Sequence, residues 1–368
     1  MRVPVNRPLI TIEDHESVLA ALDRGEISGT APLVTELEKE LSEFFTGSYA
    51  SLVSSGTSAC DLAVTASGIS SRDKVLVSAS TILSTVTQIA RVGAKIDTLD
   101  VDPNTWNVDF NNYMGMDFSQ YKAVVPVHLY GLQSNISAVQ RELEELGVDI
   151  IEDAAEAFSQ SDDGVYCGSR GRFGIFSFYS NKLITSGEGG LVLSKRLEDH
   201  KRIQSLKNLS FGNVERLLND DISWNLRMPA LSAALLKSQF RNVQKTLEVK
   251  QDLASRYIEG LKGIEQVQLP ASASYGSPNH YWVFGIVLAD ESNYTAETLG
   301  KLLKNRGIET RRFFPPLRLQ PTLKDLVSNT PTPVADKLWE KGIYLPFGSG
   351  ILDIEIDYVI EVLREILN

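Results

Sequence analysis

The sequence predicts an α/β fold, with a large domain around a mostly parallel central sheet followed by a smaller C-terminal α+β domain. Three observations predict it. Short β-branched runs recur through the first two-thirds of the chain: KVLVS (74–78), AKIDTL (94–99), KAVVPVH (122–128), VDIIED (148–153), GIFSFY (174–179) and GLVLS (190–194). Helical segments such as ISAVQRELEELG (136–147) separate several of them, and parallel strands require crossovers of that length. A long helical stretch over 229–262 then leads into a different pattern of mixed strands and helices.

Each element has a local reason. GEISGTAP (25–32) is a small polar turn. Residues 32–45 place Leu33, Leu37, Leu41 and Phe44 at helical spacing, opened by Thr30 and by Pro32 in the first turn, which predicts an amphipathic helix. SSGTSACDLAVTASG (54–68) is a Ser/Gly turn running into a helix. Over 229–262, Leu231, Leu235, Leu236, Val243 and Leu247 fall on or near one face, with no Gly or Pro between Ala230 and Gly260, so one long strut between domains is expected. Beyond it the pattern predicts strands at 280–289 and 308–314 and helices at 295–307, 333–342 and 355–367. The division expected is 1–248 and 249–368, both normal domain sizes.

Composition bounds the function. Among 368 residues, 36 Lys and Arg face 47 Asp and Glu, a net charge of −11. That balance argues against a nucleic-acid or anionic-membrane binder, which needs clustered cations. The two cysteines, Cys60 and Cys167, form neither a disulfide framework nor metal-ligand spacing, so free thiols, no metal and a reducing cytoplasm are expected. No run of about 20 apolar residues occurs, so no membrane span is expected.

Four features carry candidate chemistry, each with a plainer reading. At 54–58, Gly56 allows close backbone approach, and Thr57 and Ser58 begin a helix whose free N–H groups and dipole favour an anion, or merely cap it. Asp153 ends an apolar strand expected to be central, the place where open parallel sheets bind ligands; otherwise it caps or pairs with an Arg. Lys182 lies in a loop between two strands before a Gly-rich turn, either solvated or a Schiff-base lysine. Asn225 and Arg227 precede the long helix, as ligands or as simple capping and surface residues. An anion cradle, a buried carboxylate and a loop lysine are together the three handles that pyridoxal 5'-phosphate needs.

SSGTSA (54–59), VPVHLYG (125–131), IIEDAAEA (150–157), FSFYSNKLITSGEGG (176–190), WNLRM (224–228) and RFFPPLRLQP (312–321) resemble, in order, the DegT/DnrJ/StrS-type family of nucleotide-sugar aminotransferases, and among them the perosamine-synthase-like members. The likeness spans essentially the whole chain and implies a fold-type I aminotransferase. By resemblance, Lys182 forms the Schiff base and shuttles the proton, and Asp153 partners the pyridine nitrogen. Thr57, Ser58 and Ser177 hold the phosphate, with Gly56 permitting its approach. Asn225 reaches the phosphate of the neighbouring subunit, which implies a homodimer with shared sites. Arg227 is a candidate for holding a carboxylate or phosphate, and His128 is the one histidine inside a family motif. Three positions depart from the pattern. Ile82 replaces a common aromatic on the cofactor ring, Glu156 stands where Gln is common near the phenolate oxygen, and Arg318 replaces a common His on the sugar-nucleotide side.

The function so implied is transfer of an amino group from glutamate to a nucleotide-linked keto-deoxysugar, a 4-keto-6-deoxyhexose above others, for amino-sugar biosynthesis such as that of lipopolysaccharide O-antigen. Two alternatives stand beside it. One is a sugar dehydratase on the same cofactor, whose members resemble a version with His in place of the lysine, so that Lys182 argues against it. The other is a non-catalytic sensor of cofactor or sugar. Because the protein is acidic, attraction for a sugar nucleotide must be local, at Arg227, Arg311, Arg312 or Arg318.

Overall fold

The computed structural model describes residues 1–212, 215 and 217–367. Its main sheet has seven strands: β1 (Tyr49–Val53), β2 (Lys74–Ser78), β3 (Lys95–Leu99), β4 (Ala123–Val125), β5 (Asp149–Asp153), β6 (Phe173–Ser177) and β7 (Gly190–Ser194). Their order is β1-β7-β6-β5-β4-β2-β3, and only β7 runs antiparallel to its neighbours. β5 is therefore the middle strand. Its residues Ile150 to Asp153 are all buried, as expected where helices cover both faces of a parallel sheet.

One face of the sheet packs on α3 (Gly56–Ala66), α4 (Thr87–Arg91) and α6 (Leu197–Leu206) through Leu62, Val75, Ile89, Ile151, Phe173 and Ile203. The other packs on α2 (Pro32–Phe44) and α7 (Ala230–Arg241) near β1 and β7, through Leu37, Leu52, Leu191, Ala233 and Leu236. The amphipathic reading of α2 holds, since Leu33, Leu37 and Leu41 are buried; its N-cap is Ala31, not Thr30, whose hydroxyl pairs instead with Ser28.

The expected single strut over 229–262 is two helices. α7 ends at Asn242, whose backbone (φ −103°, ψ 11°) leaves the helical region before α8 (Val243–Leu261) begins. The break has a packing reason. α7 lies against α1 (Ile12–Asp23), whereas α8 lies against α11 (Asp353–Leu367), and one straight helix cannot seat both apolar faces. The second sheet is antiparallel in the order Val267–Gln268, Phe284–Leu288, Gly342–Leu345, Arg311–Arg312. Val3 bridges to Ile308 and sits in the same core as Leu253, Phe284 and Leu363, so the first residues of the chain pack with the last hundred.

Candidate active site

A cavity of about 260 Å³ opens where the carboxyl ends of β5 and β6 meet the N-terminus of α3 and the second sheet. Gly56, Thr57, Ile82, Asp153, Glu156, Ser177 and Lys182 line it, as do Trp282, Arg311 and Tyr344 from the C-terminal part of the chain.

The anion end is built by α3. Ser55 is its N-cap, extended at φ −165° and ψ 164°, and its Oγ accepts from the Ser58 amide at 3.1 Å. The amides of Gly56 and Thr57 belong to the first turn and have no intrahelical acceptor, which leaves them and the helix dipole to the cavity. Thr57 Oγ1 donates to Ser84 Oγ at 2.9 Å. Ser58 is one tier back: its hydroxyl pairs with Ser54 and Ser55 at 3.0 and 2.9 Å, and it does not line the cavity. Gly56 is required by contact, because a Cβ there would stand 2.8 Å from Ser177 Cβ. Gly56→Ala is expected to lower stability by about 1–3 kcal/mol, the usual cost of overpacking. Chemical denaturation checks this, and adding Ser177→Gly, which removes the clashing atom, should recover most of the loss.

Asp153 ends β5 with its side chain turned into the cavity. Oδ2 accepts from Thr85 Oγ1 at 2.7 Å, Oδ1 from the Ala155 amide at 3.1 Å, and Thr81 supports Thr85 at 2.8 Å. The carboxylate is thus oriented by neutral donors and has no ion pair among the described residues.

Lys182 sits in the loop between β6 and β7, its amide donating to Tyr179 O at 2.9 Å. Its side chain is only 12% exposed; Nζ lies 3.5 Å from Glu156 Oε1 and 3.9 Å from the centroid of the Trp282 ring. Burial lowers the lysine's pKa against the pull of Glu156 and Asp153, and burial pushes the Glu156 carboxyl up to about 7 against Lys182 and the Tyr130 amide. Both shifts favour the uncharged forms, and the two groups titrate as a coupled pair. Tyr130 (φ 58°) adopts a left-handed backbone that aims its N–H at Glu156 Oε2, 3.1 Å away.

Other expected residues lie elsewhere. His128 is fully buried outside the cavity, with Nδ1 accepting from the Ser134 amide at 3.0 Å and Nε2 facing Glu152 at 3.1 Å. It is a buried residue that does not line the cavity, so it is not placed as a substrate contact. Arg227 is bound to Asn208, and Arg318 is paired with Asp336; neither lines the cavity. Arg312 stacks 3.4 Å over Trp339, and only Arg311 of the four expected arginines faces the cavity. Asn225 is exposed and outside this chain's own cavity, while Ile82 lines the mouth at 47% exposure. Thr85, Trp282 and Tyr344 were not anticipated. Thr85 has a faint signal in the hydroxyl-rich run STILST (80–85) after β2, but no local pattern marks the other two.

A family model, the DegT/DnrJ/EryC1/StrS aminotransferase family, matches residues 8–364. A GDP-perosamine synthase of Vibrio cholerae is 30% identical over 367 residues, covering 100% of this chain and 99% of that protein. The crystal structure of a DegT DnrJ EryC1 StrS aminotransferase from Brucella abortus matches with a TM-score of 0.86 at 26% identity, covering 97% of this chain and 95% of that one. Escherichia coli GDP-4-keto-6-deoxy-D-mannose-3-dehydratase with bound hydrated PLP shares the fold, with a TM-score of 0.89 at 20% identity and 99% of each chain covered.

The cofactor of such enzymes is pyridoxal phosphate, and the residues present fit it. Its phosphate needs free backbone donors, its ring nitrogen a carboxylate and its aldehyde an amine. The first turn of α3, the Asp153 carboxylate and the buried Lys182 amine face one cavity and supply all three. The chain belongs to the DegT/DnrJ/EryC1/StrS aminotransferase family of pyridoxal-phosphate-dependent sugar aminotransferases.

Proposed function

We propose that the protein moves an amino group from glutamate to a 4-keto-6-deoxyhexose carried on a nucleotide, in a homodimer whose sites are shared across the interface. The observation that carries this reading is the buried Lys182 amine, 3.5 Å from Glu156 in a cavity that also holds Asp153 and the α3 N-terminus. The name of the Vibrio cholerae relative, a GDP-perosamine synthase, supports a GDP-linked sugar.

Bound pyridoxal phosphate supplies an aldehyde for amines to condense with and a ring that takes up the electron pair left when a proton departs the neighbouring carbon. Lys182 serves first as nucleophile, since burial keeps a fraction of its amine neutral, and then takes and returns the substrate proton at Nζ. Glu156 stores the proton beside it, and its neutral carboxylic form avoids repulsion with a phenolate. Asp153 retains the proton on the ring nitrogen, held in position by Thr85. Gly56, Thr57 and Ser177 hold the phosphate, with Ser58 bracing the cap from behind. Arg311, the one arginine among the described residues on the cavity wall, is the local cation for an anionic substrate. Asn225 is exposed and does not line its own chain's cavity, and the half-exposed Ile82 and Tyr179 border the mouth; both facts favour a second copy covering it.

The test is incubation with glutamate and a panel of GDP-, UDP- and dTDP-4-keto-6-deoxy sugars, followed by mass analysis. An amino-sugar nucleotide formed in equal amount with 2-oxoglutarate is expected. A deoxygenated product without added nitrogen would make the protein a dehydratase, and no product with any sugar or donor would favour a binding role.

A further inference from the structure

Lys250 of α8 is 2% exposed, yet the reaction as described does not use it. Its Nζ donates to the Trp282 carbonyl at 2.9 Å and lies 4.7 Å from the centroid of the Phe347 ring. Among the described residues no carboxylate is within ion-pair distance of it. The Lys182 amine rests on the indole of the same Trp282, 3.9 Å from its centroid, with Glu156 beside it. Two buried amines therefore flank one tryptophan, and only one of them has an acid. A buried ammonium without a counter-charge is costly, and a second in the same wall adds repulsion.

We propose that Lys250 is a proton-linked positioning residue, which ties down the main chain of Trp282 and takes up a proton from solvent whenever the Lys182 amine gives up its charge. The proposal rests on Lys182 being the reacting amine. Its effect is to keep one positive charge in this wall through turnover, so that Trp282 and the groups packed on it feel a constant field. Burial first, and then the charge of Lys182, push the Lys250 amine down to about 7. The other titratable groups bordering Trp282 and Phe347 are tyrosines. Tyr257 has its hydroxyl on the Pro346 carbonyl, Tyr281 precedes Trp282, Tyr344 lies 6.2 Å from its ring, and Tyr130 stacks on that ring at 6.1 Å. Burial raises all four, so they stay neutral, and the charges beside the wall that vary are those of Lys182 and of Glu156 next to it.

The experiment is competitive acetylation of the full-length, cofactor-free protein over roughly pH 5 to 10, reading Lys250 by peptide mass. In Lys182→Met the Lys250 midpoint is expected to rise by about one pH unit, a tenfold change in its charged fraction at a given pH. Lys182→Arg keeps a cation and should leave the midpoint near the wild-type value. Loading the wild-type chain with pyridoxal phosphate, which ties up the Lys182 amine without a substitution, should raise it as Lys182→Met does. A Lys250 midpoint unchanged both in folded Lys182→Met and on loading overturns the proposal. Failure of Lys182→Met to lose the visible absorption band of the loaded protein would overturn the assignment of Lys182, a separate outcome.

Discussion

Lys182→Ala is expected to abolish turnover, with a fall of at least about 10⁴-fold, and to remove the visible band that marks a cofactor joined to lysine. The size follows from two duties lost together. The amine is the only one among the described residues lining the cavity, so no neighbour replaces it as nucleophile, and the proton taken from substrate loses its acceptor. Lys250 cannot substitute, because it lies behind Trp282 with its amine on a carbonyl. The protein itself should fold, since the change removes a buried charge rather than a core contact. Stopped-flow half-reactions and absorbance spectra of the purified variant are the measurement. Normal turnover with an unchanged spectrum would remove Lys182 from the chemistry altogether.

Strand positions were legible because the central sheet is covered on both sides. Strands buried on both faces read as continuous β-branched runs, and β2, β3, β5 and the antiparallel β7 fall within a residue of where the sequence places them. The long helix was not legible in full. Apolar spacing continues smoothly across Asn242, and the break is imposed by two different packing partners, information that no local window contains.

The site divides the same way. Asp153 was legible because a strand end is a sequence feature, and Lys182 because a family-like string surrounds it. The placement of His128 outside the cavity has a geometric cause. Val127 and Leu129 line the cavity, and the alternation of an extended chain turns the residue between them to the opposite side, where it meets Glu152. Glu152 and Asp153 show the same alternation on β5, one facing His128 and the other the cavity. Arg311 and Arg312 separate on the same principle. Trp282 and Tyr344 reach the cavity from elements distant in the chain, so their roles depend on how the two sheets pack, and Thr85 acts from behind it through Asp153.

Asp153→Asn should lower kcat by roughly 10²–10⁴-fold while leaving the fold and the lysine-linked spectrum in place. The estimate comes from breaking a buried charge pair, about 3–5 kcal/mol, at 1.36 kcal/mol per tenfold in rate. Asparagine is nearly isosteric and keeps an oxygen for Thr85, which donates at 2.7 Å, so the pocket keeps its shape and loses the negative charge together with the acceptor for the Ala155 amide. That charge is needed most when the ring nitrogen must stay protonated to accept electron density, so the loss should fall on kcat for both half-reactions and far less on cofactor affinity. Thr85→Val tests the supporting bond separately. It leaves the carboxylate charged and held by the Ala155 amide alone, and a loss of about tenfold is expected from one charge-assisted hydrogen bond. If Asp153→Asn turned over at the wild-type rate, the carboxylate would be a structural cap on the Ala155 amide, and the ring nitrogen would need no anionic partner in this protein.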